Sequence, residues 1–200
     1  MVKNNTSLIM RLVVTHMAMS IFGLLMGILG AYVQEKTTIT EEINGKLEVI
    51  KEGNAALTYI VGAVVIITYI MILYVNFWEL GAADKIKIDG GREKLNPWKG
   101  LLVSLAANSP TIVFGIFATL NAYIPNGFFG SMEMAQIYYN SMYSCLISGY
   151  GLDLAVKFPP VYMLLAVPAL VTSLGSYILG VKGFKCLFPE PKKVQERNVE

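Results

Sequence analysis

Two places in this 200-residue chain hold side chains capable of chemistry inside otherwise apolar sequence. His16 is the single histidine, one helical turn after Arg11 and one before Ser20. An ionisable ring in such a setting is a candidate polar intramembrane site. A neutral imidazole that hydrogen-bonds across helices is the blander alternative. Further along, Asn108-Ser109-Pro110-Thr111 interrupts an apolar run. Proline has no N–H and clashes with the preceding turn, which frees a carbonyl. Asn108, Ser109 and Thr111 can satisfy that carbonyl, as in a plain kink. They can also line a small polar site with it, as broken helices do in transporters.

Other chemistry finds little support. One histidine excludes sites that need two, such as H-E-x-x-H, and no G-x-S-x-G, G-x-x-x-x-G-K-[ST] or C-x-x-C is present. Asp84, Asp89 and Glu93 lack the spacing of a calcium loop. The expectation is a protein that is not an enzyme, with no catalytic residue, cofactor or metal. A net charge of +2 from scattered basic residues gives no reason to expect nucleic acid as a partner.

The elements that must position these residues are four stretches without Asp, Glu, Lys or Arg, at 12–33, 55–77, 100–124 and 161–181. Each has at least 21 residues, and about 20 cross the hydrocarbon core of a bilayer. The expected fold is an all-α membrane bundle of four transmembrane helices in one domain spanning 1–200. The run at 12–33 is longer than the roughly 7–15 apolar residues of a signal peptide and is read as a retained span.

Charge sorts the segments between the spans. The N-terminus, the 78–99 loop and the C-terminal tail hold 12 basic and seven acidic residues; the 34–54 and 125–160 loops hold four and seven. Lys and Arg accumulate on the cytoplasmic side, so both termini are expected in the cytoplasm of a multi-pass protein in the cell membrane. Cys145 and Cys186 then lie a membrane apart, too far for a disulfide.

Small residues four apart mark places where helices approach closely in lipid. Helix 1 has Gly23, Gly27 and Ala31; helix 4 has Thr172, Ser176 and Gly180. These stripes suit either a homo-oligomer or an internal contact with helix 2 or 4, and helix 1 against helix 4 is the pairing expected.

Both outer loops carry structural signals. Asn44-Gly45 between β-prone runs predicts an outer β-hairpin over 38–50, pairing Ile43 with Lys46, Glu41 with Glu48 and Ile39 with Ile50. An outer interfacial helix is expected at about 131–147. Glu133, Gln136, Asn140, Ser144 and Ser148 share one face; Met134, Ile137, Tyr138, Met142, Cys145 and Leu146 share the other. Such a helix lies flat at the interface or dips between the spans, as a seal or as a gate over the Asn108–Thr111 break. Asp153 and Lys157 are spaced for an exposed pair.

In the inner loop, Trp78 and Trp98 stand as interfacial anchors, and Gly90-Gly91 marks a turn. Gly81-Ala-Ala-Asp84-Lys85, Gly91-Arg92, and Lys99-Gly100 ahead of Ser109-Pro110 resemble small uncharacterised four-span membrane proteins of Gram-positive bacteria. The resemblance covers residues 78–110, favours a bacterial plasma membrane and implies no activity. Two functions fit these residues: a non-catalytic packing or accessory subunit that binds a membrane-protein partner, and a small transporter or channel using the helix 3 break. The lipid bilayer is the common partner.

Overall fold

A computed structural model describes residues 2–43, 46–51, 53, 56–147 and 154–184. Helices dominate them. α1 (Val2–Thr37) and α2 (Ala56–Asp89) flank a two-stranded hairpin of β1 (Ile39–Ile43) and β2 (Lys46–Lys51). α3 (Lys99–Ala107) and α4 (Ser109–Tyr123) follow. Then come α5 (Gly127–Tyr139), a 3₁₀ turn (Ser141–Tyr143), and the short helices α6 (Ser144–Ile147), α7 (Leu154–Lys157) and α8 (Val161–Leu164). α9 (Val167–Lys182) is the last described helix.

Three helical segments are long and apolar enough to cross a membrane: Thr6–Thr37, Thr58–Asp89 and Val161–Lys182. The α3–α4 pair meets the same criterion only as a unit, and it bends by 58° at Asn108. Pro110 explains the bend, since its missing N–H leaves the Ala106 carbonyl free. The Ser109 hydroxyl donates to that carbonyl at 2.9 Å and repairs the break. α8 and α9 are likewise interrupted at 165–166, just before Pro168.

The outer surface carries many large apolar side chains, and polar side chains are buried beside the apolar core. Met10, Val14, Met17, Ile21, Leu25 and Ile28 form an exposed apolar stripe along α1, while His16 and Ser20 are buried. Across the bundle Ser104, Asn108, Thr111, Gln136, Asn140, Ser173 and Ser176 are buried as well. A wide apolar outer surface around an apolar core with embedded polar groups is an arrangement that lipid favours. Lipid gives apolar side chains no reason to turn inward, and polar groups find partners only in the protein.

Close backbone approaches hold the helices together. Val65, Tyr69, Leu73 and Phe77 line the buried face of α2. One turn further, a Cβ on Gly81 would sit 2.2 Å from the Tyr177 carbonyl, and one on Gly180 2.2 Å from that of Trp78. The α2–α9 contact therefore runs backbone to backbone. Both helices stop the same way. Gly91 (φ 68°) and Gly183 (φ 77°) take left-handed conformations that fold the next N–H back onto Lys87 and Leu179 respectively.

The segment 127–147 departs from the expected continuous interfacial helix. α5 starts on an Asn126 cap, whose Oδ1 accepts the Phe129 N–H at 2.8 Å. It then runs antiparallel to α4: Asn126 lies beside Asn121, Tyr139 against Phe114 and Asn140 against Thr111. At Asn140 the helix ends and the chain turns back. Met142 packs on Gly23, Ser144 on Gly27 and Cys145 on Gly62. Residues 127–147 thus form an inserted hairpin that reaches the middle of the apolar spans, about 12 Å along α1 from Leu12. The small-residue stripe of α1 receives this hairpin, with Gly30 against Thr58 of α2. Thr172, Ser176 and Gly180 lie on α9, where Gly180 faces α2; the close α1–α9 pairing expected from the two stripes is replaced by these contacts.

In the β-hairpin, Ile43 pairs with Lys46 and Glu41 with Glu48, but an irregularity after Ile39 sets that residue against Lys51 instead of Ile50. Asn44, Gly45, Ser148, Tyr150, Asp153 and Cys186 lie outside the described residues.

The seams can be ranked. Gly81→Ala should cost about 2 kcal/mol or more through overpacking against backbone. Gly175→Ala, where a Cβ meets nothing within 4 Å, should leave the thermal midpoint in detergent unchanged or slightly raised. Equal midpoints for the two variants would contradict the α2–α9 contact.

Candidate functional site

The two chemically suggestive stretches of the sequence meet through the inserted hairpin. His16 Nε2 lies 3.1 Å from the Tyr139 carbonyl and Nδ1 3.0 Å from the Tyr69 hydroxyl. A carbonyl only accepts, so Nε2 carries the proton; Nδ1 of the neutral ring then accepts from Tyr69. The imidazole stacks on the Tyr139 ring at 4.5 Å and meets Tyr69 edge-on at 5.5 Å. Ser20 donates to the same Tyr139 carbonyl at 2.5 Å, and Ser141 donates to the Ser20 carbonyl.

Why these bonds form follows from where α5 stops. The last carbonyls of a helix lack internal partners. Here the end lies against α1, and α1 supplies the donors. Asn140 helps to stop the helix, because its side chain turns back toward the Gln136 carbonyl at 3.4 Å and competes with helix continuation.

The Asn108–Thr111 break connects to the same place. Thr111 donates to Asn140 Oδ1 at 3.2 Å, and Asn140 Nδ2 donates to Gln136 Oε1 at 3.0 Å. Gln136 Nε2 donates at 2.9 Å to the Tyr162 carbonyl in α8. Asn108 faces the other way along α3 and bonds the Ser104 carbonyl at 2.9 Å. Thr111 and Gln136 are 0% exposed, and Asn108 4%. Ser109 points outward and serves only the Ala106 carbonyl; Pro110 is the cause of the bend. His16 and Thr111 thus reach a common junction, while Asn108 and Ser109 are spent on local repair. The buried hydroxyls of Tyr139 and Tyr143 have no hydrogen-bond partner among the described residues.

α5 also carries a carboxylate to α4 and α8. Glu133 accepts from Asn121 Nδ2 at 2.6 Å and from the Tyr162 hydroxyl at 3.0 Å. None of the four uncharged stretches contains an acid, so this one is invisible to a scan of the spans. Its signal was the common face of Glu133, Gln136 and Asn140.

A second polar cluster was not anticipated. Asp84 is 2% exposed at the end of α2. It accepts from Lys99 Nζ at 2.6 Å, from the Tyr177 hydroxyl at 3.0 Å and from Lys87 Nζ at 3.3 Å. Lys87 also reaches Glu93 at 3.6 Å. One buried carboxylate therefore ties α2, α3 and α9. The neighbouring glycines fit this purpose: a Cβ on Gly100 would lie 2.5 Å from Tyr177 Cβ. Gly81, Asp84, Lys99 and Gly100, four residues that carry the resemblance noted above, all serve this one joint. No group of three or more His, Cys, Asp or Glu side chains arranged to hold a metal occurs among the described residues.

Removing one member of a buried pair strands the other. Asp84→Asn should cost about 3 kcal/mol. Asp84→Asn with Lys99→Met should recover part of that loss, read from thermal midpoints in detergent. Purely additive losses would mean that the pair is not coupled.

No protein-family model matches this chain, and neither does any curated protein or solved structure, so its role has to follow from its own residues.

Proposed function

We propose that this chain is a four-span protein of a bacterial plasma membrane, non-catalytic, whose role is to pack against and support a partner membrane protein. In this reading α1, α2, the bent α3–α4 pair and α8–α9 cross the bilayer with both termini in the cytoplasm. The β-hairpin stands outside, and residues 127–147 form a re-entrant segment entering from the outer side. The exposed apolar surface supports the membrane setting, and the sorting of basic residues supports this orientation. The resemblance to four-span proteins of Gram-positive bacteria agrees with it.

The observation that carries the role is how the mid-span polar groups are used. His16, Ser20, Thr111, Gln136 and Asn140 bond one another and the backbone at helix ends. They build a packed interior, and what remains for recognition is the outer surface. Among the three long spans α1 is the least covered: 28% of its apolar window is buried, against 33% for Thr58–Asp89 and 39% for Val161–Lys182. After mild solubilisation the protein should co-purify with another membrane protein or with further copies of itself. Isolation as a lone, monodisperse monomer overturns the reading.

A second reading has one observation in its favour. Two broken helices and a half-length helix converge on Gln136 and Asn140, which is how substrate sites of transporters are built. It requires water access that the packed junction opposes. A cysteine placed at Asn108 or Asn140 should react with a small aqueous thiol reagent if the transporter reading holds, and should stay inert from both sides if the junction is a structural core.

A further inference from the structure

Around the Asp84 joint, the segment 94–97 separates two cavities. Lys94, Asn96 and Lys99 line the first, about 170 Å³, beside Asp84 and Tyr177. Leu95 and Pro97 line the second, about 210 Å³, with Tyr177, Ile178, Val181 and Lys182. The second is apolar apart from Lys182 at one end. Along α9 that lysine lies about 6 Å beyond Ile178, on the side away from the span centre. Trp98, 59% exposed, stands at the same level of the bundle, at the start of α3.

The charges nearby are unequal. Asp84 and Glu93 are taken up by Lys87 and Lys99. Lys94 and Lys182 have no ion pair among the described residues and are exposed. The joint itself is thus neutral, with two free ammonium groups at its margin. A ligand fitting both features has an apolar chain directed into the span and an anionic group at the membrane surface.

We infer that this is a binding site for one anionic phospholipid, with an acyl chain along Leu95, Pro97, Ile178 and Val181 and its phosphate taken by Lys182 and Lys94. Basic pockets between helices at the cytoplasmic surface take anionic headgroups in this way. The groove's own gradient, from Ile178 to Lys182, matches the polarity of a lipid from chain to headgroup. The occupant would brace α9 against the 94–97 segment without disturbing the Asp84 joint. The inference rests on the membrane reading above but not on the partner-binding role, and binding in detergent can fail while co-purification succeeds.

The test uses the full-length protein in an uncharged detergent, with bound lipid counted by native mass spectrometry. Short-chain phosphatidylglycerol should bind more than phosphatidylcholine of equal chain length, by about fivefold per lysine engaged. Lys94→Gln with Lys182→Gln should bring the two lipids to parity. Ile178→Trp, which fills the groove, should lower both. Lys94→Gln with Lys182→Gln alters exposed side chains only and keeps the test decisive if Ile178→Trp fails to fold. Equal binding of the two lipids by the unaltered protein overturns the proposal. So does lysine-dependent binding of chainless glycerol phosphate, which would make the ligand a soluble anion. Phosphatidylglycerol binding that appears only after removal of residues 185–200 would make the chain's own tail the occupant and also overturn it.

Discussion

The carbonyl of Tyr139 is the group on which the interior depends. A helix that ends within an apolar region leaves its last carbonyls without water, and an unpaired one costs several kcal/mol in such a medium. His16 and Ser20 meet that need from a neighbouring helix. In doing so they fix the rotation of α1, and much follows from the rotation. His16, Ser20, Gly23, Gly27 and Gly30 fall on one face at helical spacing. The first two cap the descending arm of the hairpin. The next two leave space for its return, because a Cβ on Gly23 would stand 2.3 Å from the Met142 Cα. Gly30 admits α2 at Thr58. Polar caps and small residues on α1 are thus parts of one device for holding an inserted hairpin.

The same constraint is met at the other interruptions. Pro110 frees the Ala106 carbonyl and Ser109 takes it. The α8–α9 break follows Tyr162, whose carbonyl receives Gln136. Each break is paired with a donor, one from the same helix and the others from a neighbour. Only the neighbouring donors create tertiary structure. Ser109 makes a kink; Gln136, Thr111, His16 and Ser20 make a junction between α1, α4, α5 and α8.

What could be read from the sequence divides along that line. Absence of charge over 20 residues is a local property, so the apolar stretches were legible, as was the bend at Pro110. The hairpin register followed from Asn44-Gly45 and side-chain alternation as far as Thr40, where the backbone irregularity begins. The fate of 127–147 was not legible. A helix with Glu133, Gln136 and Asn140 on one face satisfies the same pattern whether it lies flat or inserts, and the choice is made by donors more than 100 residues away on α1. Small-residue spacing told of close approach on α1 but not of what approaches. Asp84 was hidden for a related reason. Read locally it is one charge among several in a basic loop. Its burial depends on Lys99, 15 residues on, and Tyr177, 93 residues on.

The two clusters divide the labour of holding the bundle. The Asp84 joint and the paired glycines bind α2, α3 and α9 at one end, by charge and by backbone contact. The mid-span junction binds α1, α4, α5 and α8 by neutral hydrogen bonds. Between these groups run the Tyr69–His16 bond, Gly62 against Cys145, Gly30 against Thr58, and one apolar core that includes Leu12 and Met19 of α1 with Val65, Leu73 and Phe77 of α2. A neutral hydrogen bond contributes on the order of 1 kcal/mol net where the bond broken is replaced. Within the apolar interior it is not replaced unless water or another polar group enters. The Tyr69–His16 bond therefore adds most to that core where the interior stays dry. The apolar residues packed around it keep water from that bond, which joins the two clusters by one physical requirement.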